Sequence, residues 1–187
     1  MAKSISSENN ERRSEWMNSS FAFMNVEMLL LGEVQALGEL DAELIEELHK
    51  IKINSKLEED LKIKRRYFLL SKLWILGAYE LIRFLNDIDK KRNSLSENTK
   101  LKLNEVLTTF TKVRVPLAKF QKAGKDRTLY DGLADSFIDS NKGVGWIIYP
   151  HTKTELKEET FYCNDLRDLL FDLLKELKKD IEKTSNI

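Results

Sequence analysis

The chain is poor in helix-breaking residues and in the residues that form covalent or metal cross-links. Its 187 residues include two prolines, seven glycines, two histidines and one cysteine. Because Cys163 stands alone, no intramolecular disulfide can form, and two histidines with one cysteine cannot complete a closed zinc site. Few prolines and glycines, particularly before residue 116, predict a mostly helical architecture.

The chain also lacks net charge and long apolar runs. Its 31 basic and 31 acidic residues balance, so no overall field attracts nucleic acid or an anionic membrane. The first fifteen residues lack the apolar core of a signal peptide. The longest central charge-free run, residues 73–79, is shorter than the about 17–25 residues of a membrane span. We therefore expect a cytoplasmic protein with no membrane association.

Apolar periodicity in the first half of the chain predicts three helices. A polar, disordered tail is expected over residues 1–11, followed by a helix from about 12 to 36 that ends before Gly38. Asp41 is the predicted cap of a second helix. The Ser55-x-x-Glu58 spacing predicts a third helix over about 56–91, unless the second and third helices are continuous through Asn54.

The second half of the chain predicts a fourth helix, a small β-hairpin and a last helix. Ser94-x-x-Glu97 marks the start of the fourth helix, and Pro116 predicts a kink or a new helix start within it. Residues 124–142 are expected to form a loop, and the apolar runs 145–150 and 160–163 predict a hairpin over about 144–163. Asn164 would cap a helix over about 165–183.

Together these elements predict a mainly α fold. It would be a single-domain bundle of about five helices over residues 12–187, with the hairpin placed before the C-terminal helix.

The predicted third helix carries charges on an otherwise apolar segment, residues 65–85. On a helical wheel its apolar face surrounds Trp74 and includes Gly77 and Ala78, whose small size would allow a close helix crossing. Glu80 and Arg83 lie three residues apart on the other face, where they can pair. Three interpretations stay open: a solvated ion pair, a buried ion pair of Glu80 with Arg83 or with Arg114, or a ligand pocket.

The pocket interpretation groups residues from the third helix and from the segment around Pro116. Its members would be Tyr79, Glu80, Arg83, Arg114 and Lys119. A small enzyme with Glu80 as general base is one function that such a pocket allows.

The first predicted helix is the candidate interaction surface. Methionine side chains adapt to different partners, and this helix is rich in methionine and aromatic residues. The candidate interface residues are Trp16, Met17, Phe21, Met24 and Met28. With no competent catalytic set and no cofactor motif in the sequence, we expect a non-enzymatic interaction or regulatory protein that self-associates, most simply as a homodimer.

Motifs for metal or nucleophilic chemistry are weak. Glu46-x-x-His49 has the spacing of a di-iron bundle ligand pair, but those sites need a second copy and two more glutamates. Cys163 precedes a helix start, and no histidine or aspartate is placed beside it by sequence, so its expected role is in the core. No metal site and no catalytic residue are therefore predicted.

A second function class is binding of RNA or a nucleotide anion. The basic run 119–127 surrounds Phe120. The candidate anion-binding residues are Arg83, Arg114, Lys119, Lys122 and Lys125. The long central helix resembles those of the HEPN ribonuclease and RNA-binding superfamily. That family's catalytic signature places a histidine shortly after an arginine, and no arginine closely precedes His49 or His151. The resemblance therefore implies at most a non-catalytic RNA-binding member.

Overall fold

The described part of the chain is a helical bundle with a small antiparallel sheet. In the computed structural model, residues 5–23, 28–53, 57–93, 95–119, 134–148 and 158–184 are described. The helices are α1 (Ile5–Ser20), α2 (Met28–Ile53), α3 (Leu57–Arg92), α4 (Glu97–Lys119) and α5 (Cys163–Thr184). The strands are β1 (Ala134–Asp139), β2 (Gly143–Ile148) and β3 (Glu159–Tyr162). The predicted fold, with five helices and a β-unit before the last helix, is confirmed.

Aromatic side chains connect the helices through the middle of the bundle. Each helix packs on the next one along the chain, and α5 also contacts α1 and α3. The ring centroid of Trp16 lies 4.5 Å from that of Phe171 and 6.4 Å from that of Trp74. Trp74 in turn lies 6.1 Å from Phe110. The core therefore joins α1, α5, α3 and α4 in one continuous apolar cluster.

The face of α3 around Trp74 is buried, as its periodicity predicts. Its buried members include Tyr67, Trp74, Ala78, Leu81 and Leu85. A Cβ atom on Gly77 would lie 3.0 Å from Cδ2 of Leu37 on α2. The close helix crossing that the small residues predict is thus confirmed, with α2 as the crossing helix.

The boundaries of the first two helices differ from the prediction. Residues 5–11 are helical in α1, instead of belonging to a disordered tail, and a 3-10 turn (Phe21–Phe23) follows α1. The predicted stop at Gly38 is wrong because α2 continues through it. A Cβ atom at Gly38 would lie 2.5 Å from Cβ of Trp16, so the glycine allows α1 and α2 to pack closely. Residues 24–27, and the question of continuity around Asn54, lie outside the described residues.

The β-unit has one strand more than the predicted hairpin. Strands β2 and β3 pair antiparallel, as expected, with Trp146 opposite Phe161. Strand β1, within a segment predicted as loop, pairs with the other edge of β2 and places Ser136 opposite Trp146. The strand was not predicted because several of its residues are polar. Antiparallel pairing supplies backbone hydrogen bonds that do not depend on apolar side chains.

The two ends of α4 differ from the prediction. Helix α4 begins directly after Ser96, whose Oγ accepts a hydrogen bond from the backbone N–H of Thr99 at 3.4 Å. Ser96, rather than Ser94, is therefore the cap. Pro116 lies inside α4, which ends three residues later at Lys119, so the helix neither restarts nor ends at the proline.

Helix α5 presents the predicted leucine stripe to the core, with Leu166, Leu170, Leu173, Leu174 and Leu177 buried. Within the described residues, none of the helices combines the length and the apolar character that a membrane crossing requires.

Candidate functional sites

The predicted charged cluster on α3 is an ion-pair network at the surface. Nε of Arg83 lies 2.8 Å from Oε2 of Glu80, and Nη1 of Arg83 lies 3.3 Å from Oδ2 of Asp87. Nη2 of Arg114, on α4, lies 3.6 Å from Oε1 of Glu80, and its guanidinium stacks 4.8 Å from the ring centroid of Tyr79. We call these five residues the Glu80 network.

Solvent reaches most of the Glu80 network. The side chains of Glu80 and Arg83 are each 49% exposed, whereas that of Arg114 is 23% exposed. The hydrogen bond and the charge of Glu80 raise the pKa of Arg83. The Glu80 carboxylate is flanked by two arginines, so the arrangement is that of an ion pair bridging α3 and α4. Lys119 belongs to the last turn of α4, and its side chain lies outside the described part of the structure.

The candidate interface residues separate into a buried and an exposed group. Trp16 is 1% exposed and belongs to the core, so its prediction as part of an interaction surface is corrected. Trp16 was included because it belongs to the methionine-rich and aromatic part of the predicted first helix. In the structure α1 packs closely on α2 at Gly38, and the indole lies in the core. Met17 is 43% exposed, Phe21 48% and Met28 74%. Met24 lies outside the described residues.

The exposed group occupies one end of the α1–α2 pair. Nε2 of Gln35 on α2 donates to Sδ of Met17 at 3.1 Å, which fixes the methionine beside α2. Leu29, in the first turn of α2, is 74% exposed and was not among the predicted residues. We call Met17, Phe21, Met28 and Leu29 the corner patch. Two of its side chains lie near the end of α1 and in the 3-10 turn that follows, and two lie in the first turn of α2.

A buried ion-pair cluster joins α1, α2 and α5 and was not predicted from the sequence. Asp41 is 1% exposed, and its Oδ2 accepts a hydrogen bond from Nε1 of Trp16 at 2.9 Å. Its Oδ1 accepts from Nη1 of Arg167 at 3.2 Å, and Nε of Arg12 lies 3.5 Å from Oδ2. We call these four residues the Asp41 cluster. The predicted role of Asp41 as a helix cap is wrong, because it lies in the interior of α2.

The sequence does contain a signal for this cluster. Asp41 stands between Leu37 and Leu44 at helical spacing, and Arg167 precedes Leu170 by three residues. A charge within the buried face of a helix needs a partner, and Asp41 on α2 and Arg167 on α5 carry charges of opposite sign. Burial is the largest single influence and opposes the charge of Arg167, but the combined effects of Asp41, Cys163 and Asp168 outweigh it, so the pKa of Arg167 is raised.

A small polar pocket adjoins the Asp41 cluster, between α2 and the start of α5. Its volume is about 130 Å³, and its polar lining includes Asp41, His49, Lys52, Tyr67, Cys163 and Arg167. Burial, with a smaller effect of the Asp41 charge, raises the pKa of the Cys163 thiol to about 12. Burial also raises the pKa of the Tyr67 hydroxyl. Both groups are therefore protonated at neutral pH, so Cys163 is not an activated nucleophile. We call this the α2–α5 pocket.

The described residues do not bring together three or more histidine, cysteine or acidic side chains that could hold a metal ion. Glu46, from the predicted Glu-x-x-His pair, accepts a hydrogen bond from Nδ2 of Asn9 at 3.0 Å. This contact ties α1 to α2 and gives Glu46 a structural role.

Comparison with protein-family models, curated proteins and solved structures found no match to this chain. Nucleic-acid binding stays a prediction, because most of its basic run, residues 120–127, lies outside the described residues and Arg114 already contacts Tyr79 and Glu80.

Proposed function

We propose that the protein is a non-enzymatic interaction protein that self-associates through the corner patch. The observation that carries the proposal is the exposure of four large apolar side chains at one end of the α1–α2 pair. Contiguous exposed apolar surface on a folded protein is characteristic of protein–protein contact sites. The flexible thioethers of Met17 and Met28 suit a surface that repacks on contact.

A second exposed apolar stripe, Leu69, Leu73 and Phe84 on α3, is the alternative surface. It passes close to the paired charges of Glu80, Arg83 and Asp87. The cores of protein interfaces are depleted in charged residues, so burying this stripe would require desolvating the ion pairs. The four side chains of the corner patch are uncharged, so burying them desolvates no ion pair within the patch, which favours it as the contact surface.

The overall charge of the chain permits association between copies. Since 31 basic residues balance 31 acidic residues, two copies do not repel each other at neutral pH. A contact between two corner patches related by a twofold axis would be self-complementary, because each apolar patch meets the same patch on the other copy.

Sedimentation equilibrium of the full chain tests the proposal. We expect a reversible dimer, and we expect Leu29→Glu to shift it to monomer because a carboxylate would be buried at the contact. Leu101→Glu is the matched control, since Leu101 on α4 is 69% exposed, against 74% for Leu29. A chain that stays monomeric at high concentration refutes self-association. A dimer that resists Leu29→Glu but dissociates with Leu69→Glu places the contact on α3 instead.

A further inference from the structure

The α2–α5 pocket collects hydrogen-bond donors from separate parts of the fold. Lys52 and His49 come from the C-terminal end of α2, Tyr67 comes from α3, and Arg167 comes from α5. Asn141, in the turn between β1 and β2, completes the rim. Donors that converge from several elements suit a ligand whose oxygen atoms accept hydrogen bonds from several directions.

The charges of the pocket lining favour an anion. Lys52 and Arg167 are cationic, and Asp41 is the single carboxylate of the lining. Asp41 and Arg167 pair with each other, so Lys52 gives the lining a net positive charge. Tyr67 and Cys163 contribute neutral O–H and S–H groups, so they add no negative charge that would repel an anion.

Part of the Arg167 guanidinium is not used by the Asp41 cluster. Its contact with Asp41 runs through Nη1, and its contact with Asp168, at 3.7 Å, runs through Nε. The buried Nε atom has no hydrogen-bond partner. Arg167 is held in place by its buried partner, which means that a ligand would meet a preorganised donor and would not have to order a flexible side chain.

The local backbone holds the pocket wall in a fixed shape. Gly143 has a φ of 79°, and a Cβ atom there would lie 2.8 Å from the hydroxyl oxygen of Tyr67. Nδ2 of Asn164 donates to the backbone carbonyl of Asn141 at 3.0 Å, which docks the β1–β2 turn onto the start of α5. The pocket is therefore built by tertiary contacts between α3, α5 and the turn.

We propose that the α2–α5 pocket binds a small phosphate-class oxyanion, held by Lys52, Arg167 and the neutral donors around them. The volume of about 130 Å³ corresponds to about four water molecules at about 30 Å³ each. This accommodates a single phosphate group. The proposal is independent of self-association, because the pocket and the corner patch share no residue.

Calorimetric titration of the full chain with inorganic phosphate tests the proposal, in a phosphate-free buffer with chloride at matched ionic strength. We expect saturable binding that Lys52→Gln weakens by about tenfold or more, as for a lost charge-assisted hydrogen bond. Lys50→Gln is the matched control, since Lys50 is on the same helix and pairs with Glu47. Its affinity should remain within about twofold of the parent, because exposed charges outside the site are screened.

Amide shifts provide a second readout that does not depend on a variant. Phosphate should shift the backbone amide signals of residues 141–143 and 163–167 in the unmodified protein. Glycerol 3-phosphate distinguishes the source of the anion: tighter binding than phosphate indicates the terminal group of a larger ligand, and exclusion indicates free phosphate. The proposal is overturned if phosphate binds no more tightly than chloride does, if these amides do not shift, or if both lysine variants lose affinity equally.

Discussion

The Asp41 cluster and the Glu80 network use the same chemistry in opposite environments. In each, a carboxylate on one helix meets an arginine from a helix later in the chain, at 3.2 Å for Asp41–Arg167 and 3.6 Å for Glu80–Arg114. Asp41 is 1% exposed, whereas Glu80 is 49% exposed. Solvent screens the second arrangement and not the first, so the two should differ sharply in what their removal costs.

The difference teaches that burial, rather than the ion pair itself, determines the cost of a broken contact. At the surface, water replaces a lost partner. In the interior, the remaining charge keeps its desolvation penalty and has nothing to offset it. The Asp41 cluster also holds α1, because Trp16 donates to Asp41 and Arg12 approaches it. Its loss should therefore loosen the contacts of an entire helix.

The largest effect is expected for Asp41→Ala. The substitution leaves Arg167 and the indole N–H of Trp16 buried without their acceptor. We expect the free energy of unfolding to fall by about 3–5 kcal/mol. Chemical denaturation followed by circular dichroism measures it. A loss as small as that of an exposed ion pair would show that water enters the cluster.

Gly38→Ala is expected to have the next largest effect. The new methyl group would lie 2.5 Å from Cβ of Trp16, and the contact atom is fixed to the backbone of α1, so the helices must move apart. We expect a destabilisation of about 1–3 kcal/mol, measured as above.

Gly32→Ala is the matched control on the same helix. A Cβ atom at Gly32 meets nothing within 4 Å, so the substitution should stabilise α2 by about 0.5–1 kcal/mol. The same sign for both variants would contradict the close α1–α2 crossing.

Glu80→Gln tests the surface side of the comparison. Arg83 retains Asp87 as a partner and Arg114 retains its contact with the Tyr79 ring, so the free energy of unfolding should change little. The change should also shrink as salt concentration rises, because exposed charges are screened. A large, salt-independent loss would mean that the network is desolvated in solution.

The smallest effect is expected at Asp139, an exposed carboxylate held by backbone donors. Hydrogen bonds from the N–H groups of Lys142 and Asn141 lower the pKa of Asp139. Its contribution is present above the pKa of the unfolded chain and is lost as pH falls through the lower folded pKa. Asp139→Asn keeps the acceptor oxygen and cannot titrate. As the pH falls, the free energy of unfolding of this variant should decrease slightly less than that of the parent. An identical pH dependence would contradict the assigned hydrogen bonds.

The helical architecture could be predicted from the sequence because it depends on local information. The apolar stripe of α5 and the apolar face around Trp74 repeat at the helical period, and both are buried. The pairing of β2 with β3 was visible in two short apolar runs. Strand β1 was missed because its pairing with β2, rather than its own composition, makes it a strand.

The candidate sites were less predictable, because exposure is decided between elements. Trp16 and Met17 are neighbours in the chain, yet the first is buried in the core and the second is 43% exposed. The Glu80–Arg83 contact was visible as a spacing within one helix. Asp41 and Arg167 are 126 residues apart, and no local pattern pairs them.

The sequence by itself determined the helices and their apolar faces, because each depends on the order and type of neighbouring residues. Its single cysteine also excluded an intramolecular disulfide. Only the tertiary structure decided which charges are buried, where glycine allows two helices to touch, and that Lys52, Tyr67 and Arg167 line one pocket. Desolvation and close packing depend on distances across the fold, and these exist only once the helices have assembled.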